Sequence, residues 1–160
     1  MYQLAPSKKT DPVRRWNLPD RVFFGYGACH ILAGVFLREA AGSGFRAFWV
    51  RPQRHPGAHV YVSDGLIAFD YHGYSVRCRL EAHLRIVWQA HYVDWAADTL
   101  PVDFDLLATP ELNARNMRGP DQYLHNPIER ARRFLARIDH PKAASRARRL
   151  AGIHGRDELC

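Results

Sequence analysis

Hydrophobic positions early in the chain repeat every three or four residues. Over residues 29–40 this spacing predicts a helix with one apolar face that packs against the rest of the protein. The residues of that face are Ile31, Leu32, Val35, Phe36 and Ala40. Gly42 and Gly44 follow, and glycine just after such a segment indicates the end of a helix.

The next hydrophobic segments have the composition of β-strands. Residues 45–51 are rich in aromatic and β-branched side chains, which favours a strand. Residues 59–63 alternate in polarity with a period of two, and residues 66–71 form an apolar partner segment. Residues 100–106 alternate as well, and Pro101 favours a place at the edge of the sheet.

Two of these strands are joined by Asp64-Gly65, a strong signal for a tight β-hairpin. If these two residues form the centre of the turn, Ser63 pairs with Leu66. The same register then places His59 directly opposite Asp70, where side chains share one face of the sheet at close range. The sequence therefore predicts an imidazole beside a carboxylate.

The C-terminal half is predicted to be mainly helical. Residues 79–92 have helical spacing. Residues 113–122 form a loop that either borders a substrate groove or connects two elements, and we interpret it as a connection. Asn126-Pro127 is a strong helix start, and the helix that follows is predicted to break at His140-Pro141. A second, shorter helix is expected over residues 142–150.

Together these elements predict an α+β fold. The helix of residues 29–40 packs on an antiparallel sheet of four or five strands, and the C-terminal helices cover it. A chain of 160 residues that is 47% hydrophobic can bury one such core. We expect a single domain over residues 16–140, a basic N-terminal arm over residues 1–15, and a basic C-terminal helix and tail over residues 141–160.

Cysteine content and hydropathy bear on the compartment. Three cysteines, an odd number at irregular spacing, argue against a disulfide framework and for a reducing compartment. No apolar stretch reaches the length of a membrane span, and the N-terminus lacks the core of a signal peptide. We therefore expect a cytoplasmic protein, with delivery into another cell by a non-classical route left open.

The net charge of +7 is concentrated at the two ends of the chain. Residues 16–127 hold ten basic and eleven acidic side chains, whereas a nucleic-acid groove would be expected to carry its positive charge there. One alternative is thus a non-enzymatic domain that binds nucleic acid or another anionic partner through its basic C-terminal helices. The residues of that candidate surface are Arg132, Arg133, Arg146, Arg148 and Arg149.

The candidate chemistry begins at Cys29, the first residue of the predicted helix. The reactive form of cysteine is the thiolate, which a helix N-terminus and a neighbouring imidazolium both stabilise. Gly25 and Gly27 suit the tight backbone entry that such a position requires. A lone cysteine in an apolar helix is usually a core residue, so the hypothesis depends on Cys29 together with His59 and Asp70.

These residues resemble a known family. The order Gly-x-Cys at a helix start, a strand with Gly-x-His-Val-x-Val, and a hairpin into a strand ending in Phe-Asp resembles the core of transglutaminase-like proteins, within the papain-like cysteine hydrolases. The resemblance covers residues 25–75 and implies Cys29 as nucleophile, His59 as general base and acid, and Asp70 as the group that orients His59. Members often carry an aromatic residue where this chain has His30.

That resemblance implies acyl chemistry on a peptide or protein substrate without a cofactor. The thiolate would attack an amide or ester carbonyl, and water or an amine would resolve the thioester, as in a hydrolase, a deamidase or an acyltransferase. An oxyanion hole would use the backbone N–H of Cys29, with a second donor from Tyr26 or Trp16 upstream.

A third possibility is a small metal-dependent hydrolase. His55, His59, Asp70 and His72 are predicted to converge at one end of the hairpin, and these residue types ligate transition metals. Cys78 and Cys160 lie in settings that indicate no comparable chemistry.

Overall fold

The computed structural model of the protein describes residues 11–154, so most of the predicted N-terminal arm and the end of the tail, with Cys160, lie outside the described residues. The elements in chain order are α1 Pro12–Trp16, α2 Asp20–Gly25, α3 Cys29–Glu39, β1 Arg46–Pro52, β2 His59–Ser63, β3 Ile67–Asp70, β4 Gly73–Val76, α4 Arg77–Gln89, β5 Ala97–Pro101, α5 Thr109–Asn113, a 3-10 turn Pro120–Gln122, α6 Pro127–Leu135 and α7 His140–His154. The predicted α+β class is confirmed.

One antiparallel sheet of five strands organises the described chain, in the order β4-β3-β2-β1-β5. The predicted strand over residues 100–106 is instead β5, which begins and ends earlier and lies at the edge of the sheet. Strand β4 was not predicted, because four residues with one glycine carry little periodic signal.

The hairpin register differs from the predicted one. Ser63 pairs with Ala68, not with Leu66, so the turn is centred on Gly65-Leu66. Asp64 causes the difference: its Oδ1 accepts from the backbone N–H groups of Leu66 and Ile67 at 3.0 and 2.9 Å. Gly65 follows with φ +101°, as the first central residue of a type II′ turn requires.

The correction moves the pairing by two residues. Continued along the strands, the register places Tyr61 opposite Asp70, so the predicted direct pairing of His59 with Asp70 was wrong. A shift of two residues leaves every side chain on its original face, because the side-chain period of a strand is two. His59 and Asp70 are therefore diagonal neighbours on one face, still within reach of each other.

Helices cover both faces of the sheet. Every residue of α3 from Cys29 to Phe36 is buried, and the helix packs on Val60, Val62 and Phe69. On the other face, α4 contributes Leu80 and Leu84 to a second cluster that contains Tyr61 and Ala68. Helix α6 contacts α3, and α7 contacts β3 and β4. The helix that carries the candidate nucleophile thus lies in the main core.

The predicted break between the two C-terminal helices is present, but α6 already ends at Leu135, and His140-Pro141 is the start of α7. Proline is tolerated in the first turn of a helix, where its missing N–H would have no intrahelical partner. Asp139 completes this start by accepting the backbone N–H of Lys142 at 3.1 Å. Helix α7 is consequently longer than predicted. Within residues 11–154, no helix has the length and apolar character needed to cross a bilayer.

Candidate active site

Cys29 is the first residue of α3, at the end of a turn that two distant side chains hold in place. Gly27 has φ +95°, a conformation that favours glycine. Its carbonyl oxygen accepts from Arg15 Nη2 at 3.0 Å and from the Tyr123 hydroxyl at 2.8 Å. The position of the thiol is therefore fixed by α1 and by the segment after the 3-10 turn, as well as by α3.

His59 and Asp70 form a buried hydrogen-bonded pair. The His59 Nε2 atom lies 3.1 Å from Asp70 Oδ2, and both side chains are 2% exposed. The second carboxylate oxygen, Oδ1, accepts the backbone N–H of His72 at 2.8 Å. Because the carboxylate engages Nε2 and is held from the other side, it fixes the orientation of the ring and leaves Nδ1 for another partner.

The Cys29 thiol lines the same pocket as His59, and the two side chains interact electrostatically. Cys29 Sγ accepts the backbone N–H of Val60, the residue after His59, at 3.4 Å. Burial disfavours the thiolate, but hydrogen bonds from His30 and His59 outweigh burial and lower the pKa of Cys29 to about 5. The structure thus brings together the three side chains that the sequence singled out, from α3, β2 and β3.

The electrostatics of the three groups agree with one another. Burial alone would lower the pKa of His59, yet hydrogen bonds to Asp70 and Cys29 raise it to about 10. Burial would likewise raise the pKa of Asp70, and hydrogen bonds from His59 and His72 hold it well below its usual range. At neutral pH these shifts favour a thiolate paired with an imidazolium and a carboxylate.

His30 is a site residue whose role the sequence did not indicate. It is buried beside the thiol, and its Nε2 donates to the backbone carbonyl of Arg118 at 2.8 Å. This bond joins the first turn of α3 to a loop 88 residues further along the chain. The sequence signal was a histidine at a position where the transglutaminase-like proteins that residues 25–75 resemble often carry an aromatic residue.

A pocket of about 320 Å³ opens beside the thiol. Its lining consists of Arg15, Gly27, Cys29, His30, Trp49, Ala58, His59, Val60, Asn116, Met117 and Arg118. The preferred interpretation of the loop over residues 113–122 as a connection was incomplete, because three of its residues form one wall of this pocket, as the alternative of a loop at a groove had it. Asn116 has φ +56°, the one non-glycine residue of the described chain with a positive φ.

The predicted second oxyanion donors, Tyr26 and Trp16, are not among the residues that line the pocket. The Trp16 ring packs edge-on against Phe23 at 5.3 Å, and Tyr26 follows the end of α2. Trp49 does line the pocket, and its Nε1 is buried with no hydrogen-bond partner in the structure described. Buried donors are normally paired, and this indole N–H is an exception.

The four residues of the predicted metal set do not converge. His55 Nε2 lies 2.8 Å from Asp94 Oδ1 and its ring stacks on Tyr92, so it belongs to a different surface. His72 does approach Asp70, at 3.4 Å from Nδ1 to Oδ1. No group of three or more His, Cys, Asp or Glu side chains within the part of the chain that is described has the arrangement of a metal site.

The basic C-terminal surface is partly neutralised. Arg132 forms ion pairs with Glu39 and Glu129, and Arg148 pairs with Asp64. Arg149 donates to Ser145 Oγ at 3.0 Å. Arg133 and Arg146 line two other surface pockets. An anionic partner at these arginines stays a prediction.

Cys78 differs from Cys29 in its covalent state. Cys78 is disulfide-bonded, a state that the odd cysteine count did not predict, whereas Cys29 is free.

Comparison of the chain with protein-family models, with curated proteins and with solved structures finds no match. The chemistry of the site is therefore argued from its own residues.

Proposed function

We propose that this protein is a thiol-dependent acyl enzyme, a cysteine hydrolase, deamidase or acyltransferase that acts on a peptide or protein substrate. The observation that carries the proposal is the chain of contacts from Cys29 through His59 to Asp70 beside an open pocket. A nucleophile, a base within reach of it and a group that orients the base are the parts that nucleophilic acyl transfer needs.

In this mechanism the Cys29 thiolate attacks the carbonyl carbon of an amide or ester. The sulfur–carbon bond forms as the carbonyl π electrons move onto oxygen, which gives a tetrahedral oxyanion. His59 then donates its proton to the departing amine or alcohol as the carbon–heteroatom bond breaks, and a thioester remains. Water or an amine next attacks the thioester while His59 accepts its proton, and the thiolate leaves.

Two donors are suited to stabilise the oxyanion. The backbone N–H of Cys29 is at the start of α3, where amide groups have no intrahelical partner. Trp49, whose Nε1 has no hydrogen-bond partner among the described residues, lines the same pocket. Preorganised donors of this kind contribute a large share of catalysis in acyl transfer. Trp49 takes the role that the sequence had suggested for Tyr26 or Trp16.

The arrangement of the elements also favours a core like that of transglutaminase-like and papain-like proteins. A cysteine at the N-terminus of a buried helix packs against an antiparallel sheet that carries the histidine and the aspartate on neighbouring strands. This supports the acyl interpretation, and we propose the relationship on that basis.

Alkylation of Cys29 by iodoacetamide tests the proposal without knowledge of the substrate. We expect rapid modification whose rate follows a titration with a midpoint near 5, far below the value of about 8.5 for an ordinary thiol. Mass spectrometry assigns the adduct, and Cys29→Ala measures the background from other groups. A rate that rises only above about pH 8 in the folded protein contradicts the proposed function.

A further inference from the structure

We infer that the pocket beside Cys29 accepts an acyl substrate that carries a carboxylate close to the reacting carbonyl, and that Arg15 and Arg118 bind this carboxylate. The inference deepens the proposed function and rests on it. It concerns which acyl group reaches the thiol, a question that the three catalytic residues leave open.

The charge of the pocket lining is the first observation. Arg15 and Arg118 are its two arginines, and no aspartate or glutamate is among the lining residues. Several other arginines of the described chain form ion pairs, for example Arg38 with Asp105 and Arg130 with Asp20. Neither pocket arginine has a carboxylate within ion-pair distance among residues 11–152. The pocket therefore carries positive charge that the described structure does not neutralise.

The side chain of Arg15 provides the second observation. Its Nη2 donates to Gly27, but its Nε is buried and has no hydrogen-bond partner among the residues described. A buried donor without a partner costs free energy, and a guanidinium is well suited to bind a carboxylate through two nitrogens. Burial and the nearby charge of Arg118 both lower the pKa of Arg15, as expected for a cation that lacks an anion.

The two guanidinium groups lie close to a common aromatic ring. Arg15 Cζ is 5.3 Å from the centroid of the Tyr123 ring, and Arg118 Cζ is 5.6 Å from it. Both guanidinium groups therefore contact Tyr123, and the charge of Arg118 repels that of Arg15. A bound carboxylate would pair with both and remove their mutual repulsion.

Both arginines are connected to the residues that flank the nucleophile. Arg15 binds the carbonyl of Gly27, two residues before Cys29, and the Arg118 carbonyl accepts from His30, the residue after it. The thiolate, the His59 imidazolium and the Asp70 carboxylate together carry one negative charge, which is less than the two positive charges of the arginines. An acyl group bound here would place its carboxylate on the arginine side and its carbonyl at Cys29.

A pair of alkylating reagents tests this inference. Iodoacetate and iodoacetamide both form a bond from Cys29 sulfur to the reagent carbon as iodide leaves, and they differ in the carboxylate. The readout is the rate constant of Cys29 with iodoacetate divided by its rate constant with iodoacetamide. This quotient is then divided by the same quotient measured for N-acetylcysteine. Intrinsic nucleophilicity cancels in this normalised ratio, which reports recognition of the carboxylate.

The wild-type ratio is expected to exceed 1 clearly, and Arg15→Gln and Arg118→Gln are each expected to lower it about tenfold, the effect of one charge-assisted hydrogen bond. Arg14→Gln is the matched control, because it removes the same charge from the neighbouring residue, whose side chain is 64% exposed and outside the pocket. The control should leave the ratio unchanged.

The outcomes separate this inference from the proposed function. Rapid iodoacetamide reaction with a wild-type ratio near or below 1 overturns the carboxylate site and leaves the acyl enzyme standing. Slow reaction with both reagents contradicts the proposed function itself. If Arg15→Gln slows both reagents because the Gly27 turn moves, Arg118→Gln decides, since its side chain does not hold that turn. An unchanged ratio in Arg118→Gln then refutes the inference.

Discussion

Replacement of Asp70 by asparagine should remove the support for the ion pair while the shape of the side chain is kept. In the wild-type protein Asp70 Oδ2 lies 3.1 Å from His59 Nε2, and both groups are buried. At an effective dielectric constant of about 20, opposite unit charges at this separation attract by about 5 kcal/mol. The substituted asparagine offers an amide oxygen as acceptor but no charge, so most of this attraction disappears.

The consequence is a lower pKa for His59 and a higher pKa for Cys29. An interaction of about 5 kcal/mol corresponds to a change of up to about 4 in the pKa of the histidine. Once the imidazole is neutral at neutral pH, the thiolate loses its cation, and burial then raises the pKa of the thiol. The midpoint of the alkylation profile should move from about 5 to about 7 or higher.

The assay is the rate of iodoacetamide reaction with Cys29 between about pH 4 and 10. The midpoint is the readout, since the nucleophilicity of a thiolate rises with its pKa and affects the plateau rate. Asp94→Asn is the matched control, because Asp94 pairs with His55 at 2.8 Å outside the pocket. A folded Asp70→Asn variant whose midpoint stays within about half a pH unit of wild type would refute the linkage.

Other substitutions test the remaining parts of the site and the core. Trp49→Phe should lower acylation by an activated ester about 100-fold and leave alkylation unchanged, because only acylation forms an oxyanion; equal effects on both rates would argue against an oxyanion role. Gly27→Ala should destabilise the protein by about 1–3 kcal/mol and slow alkylation, since Gly27 has φ +95° and a Cβ would approach Arg15 Nη2 to 2.9 Å. Gly65→Ala, at φ +101° with open space around it, should lower the free energy of unfolding but leave the alkylation rate of Cys29 unchanged. Denaturant unfolding together with the iodoacetamide rate of each variant therefore distinguishes the two glycines. Phe36→Ala should cost about 3–5 kcal/mol in urea unfolding, because this fully buried ring stacks on Phe69 at 4.4 Å, and a loss below about 1 kcal/mol would contradict the assigned core.

Local patterns predicted those features that neighbouring residues determine. The apolar spacing of α3 placed Cys29 at a helix start, and the alternation around the hairpin put His59 and Asp70 on one face. The register was missed because the side chain of Asp64 caps the turn and moves its centre by one residue. The direct strand pairing of His59 with Asp70 was wrong, but the predicted proximity of their side chains was correct, because a shift of two residues preserves the face.

The amino-acid sequence by itself determined the α+β class, the identity of the three candidate catalytic residues and the hairpin that joins two of them, because periodicity and turn chemistry act over a few residues. Only the tertiary structure decided the approach of Cys29 to His59 and the composition of the pocket. Its arginines come from α1 and from a loop near residue 118, and the contacts that position them join residues up to 96 apart. Such contacts arise when helices pack on both faces of the sheet, and no local pattern encodes which distant side chains then meet at the thiol.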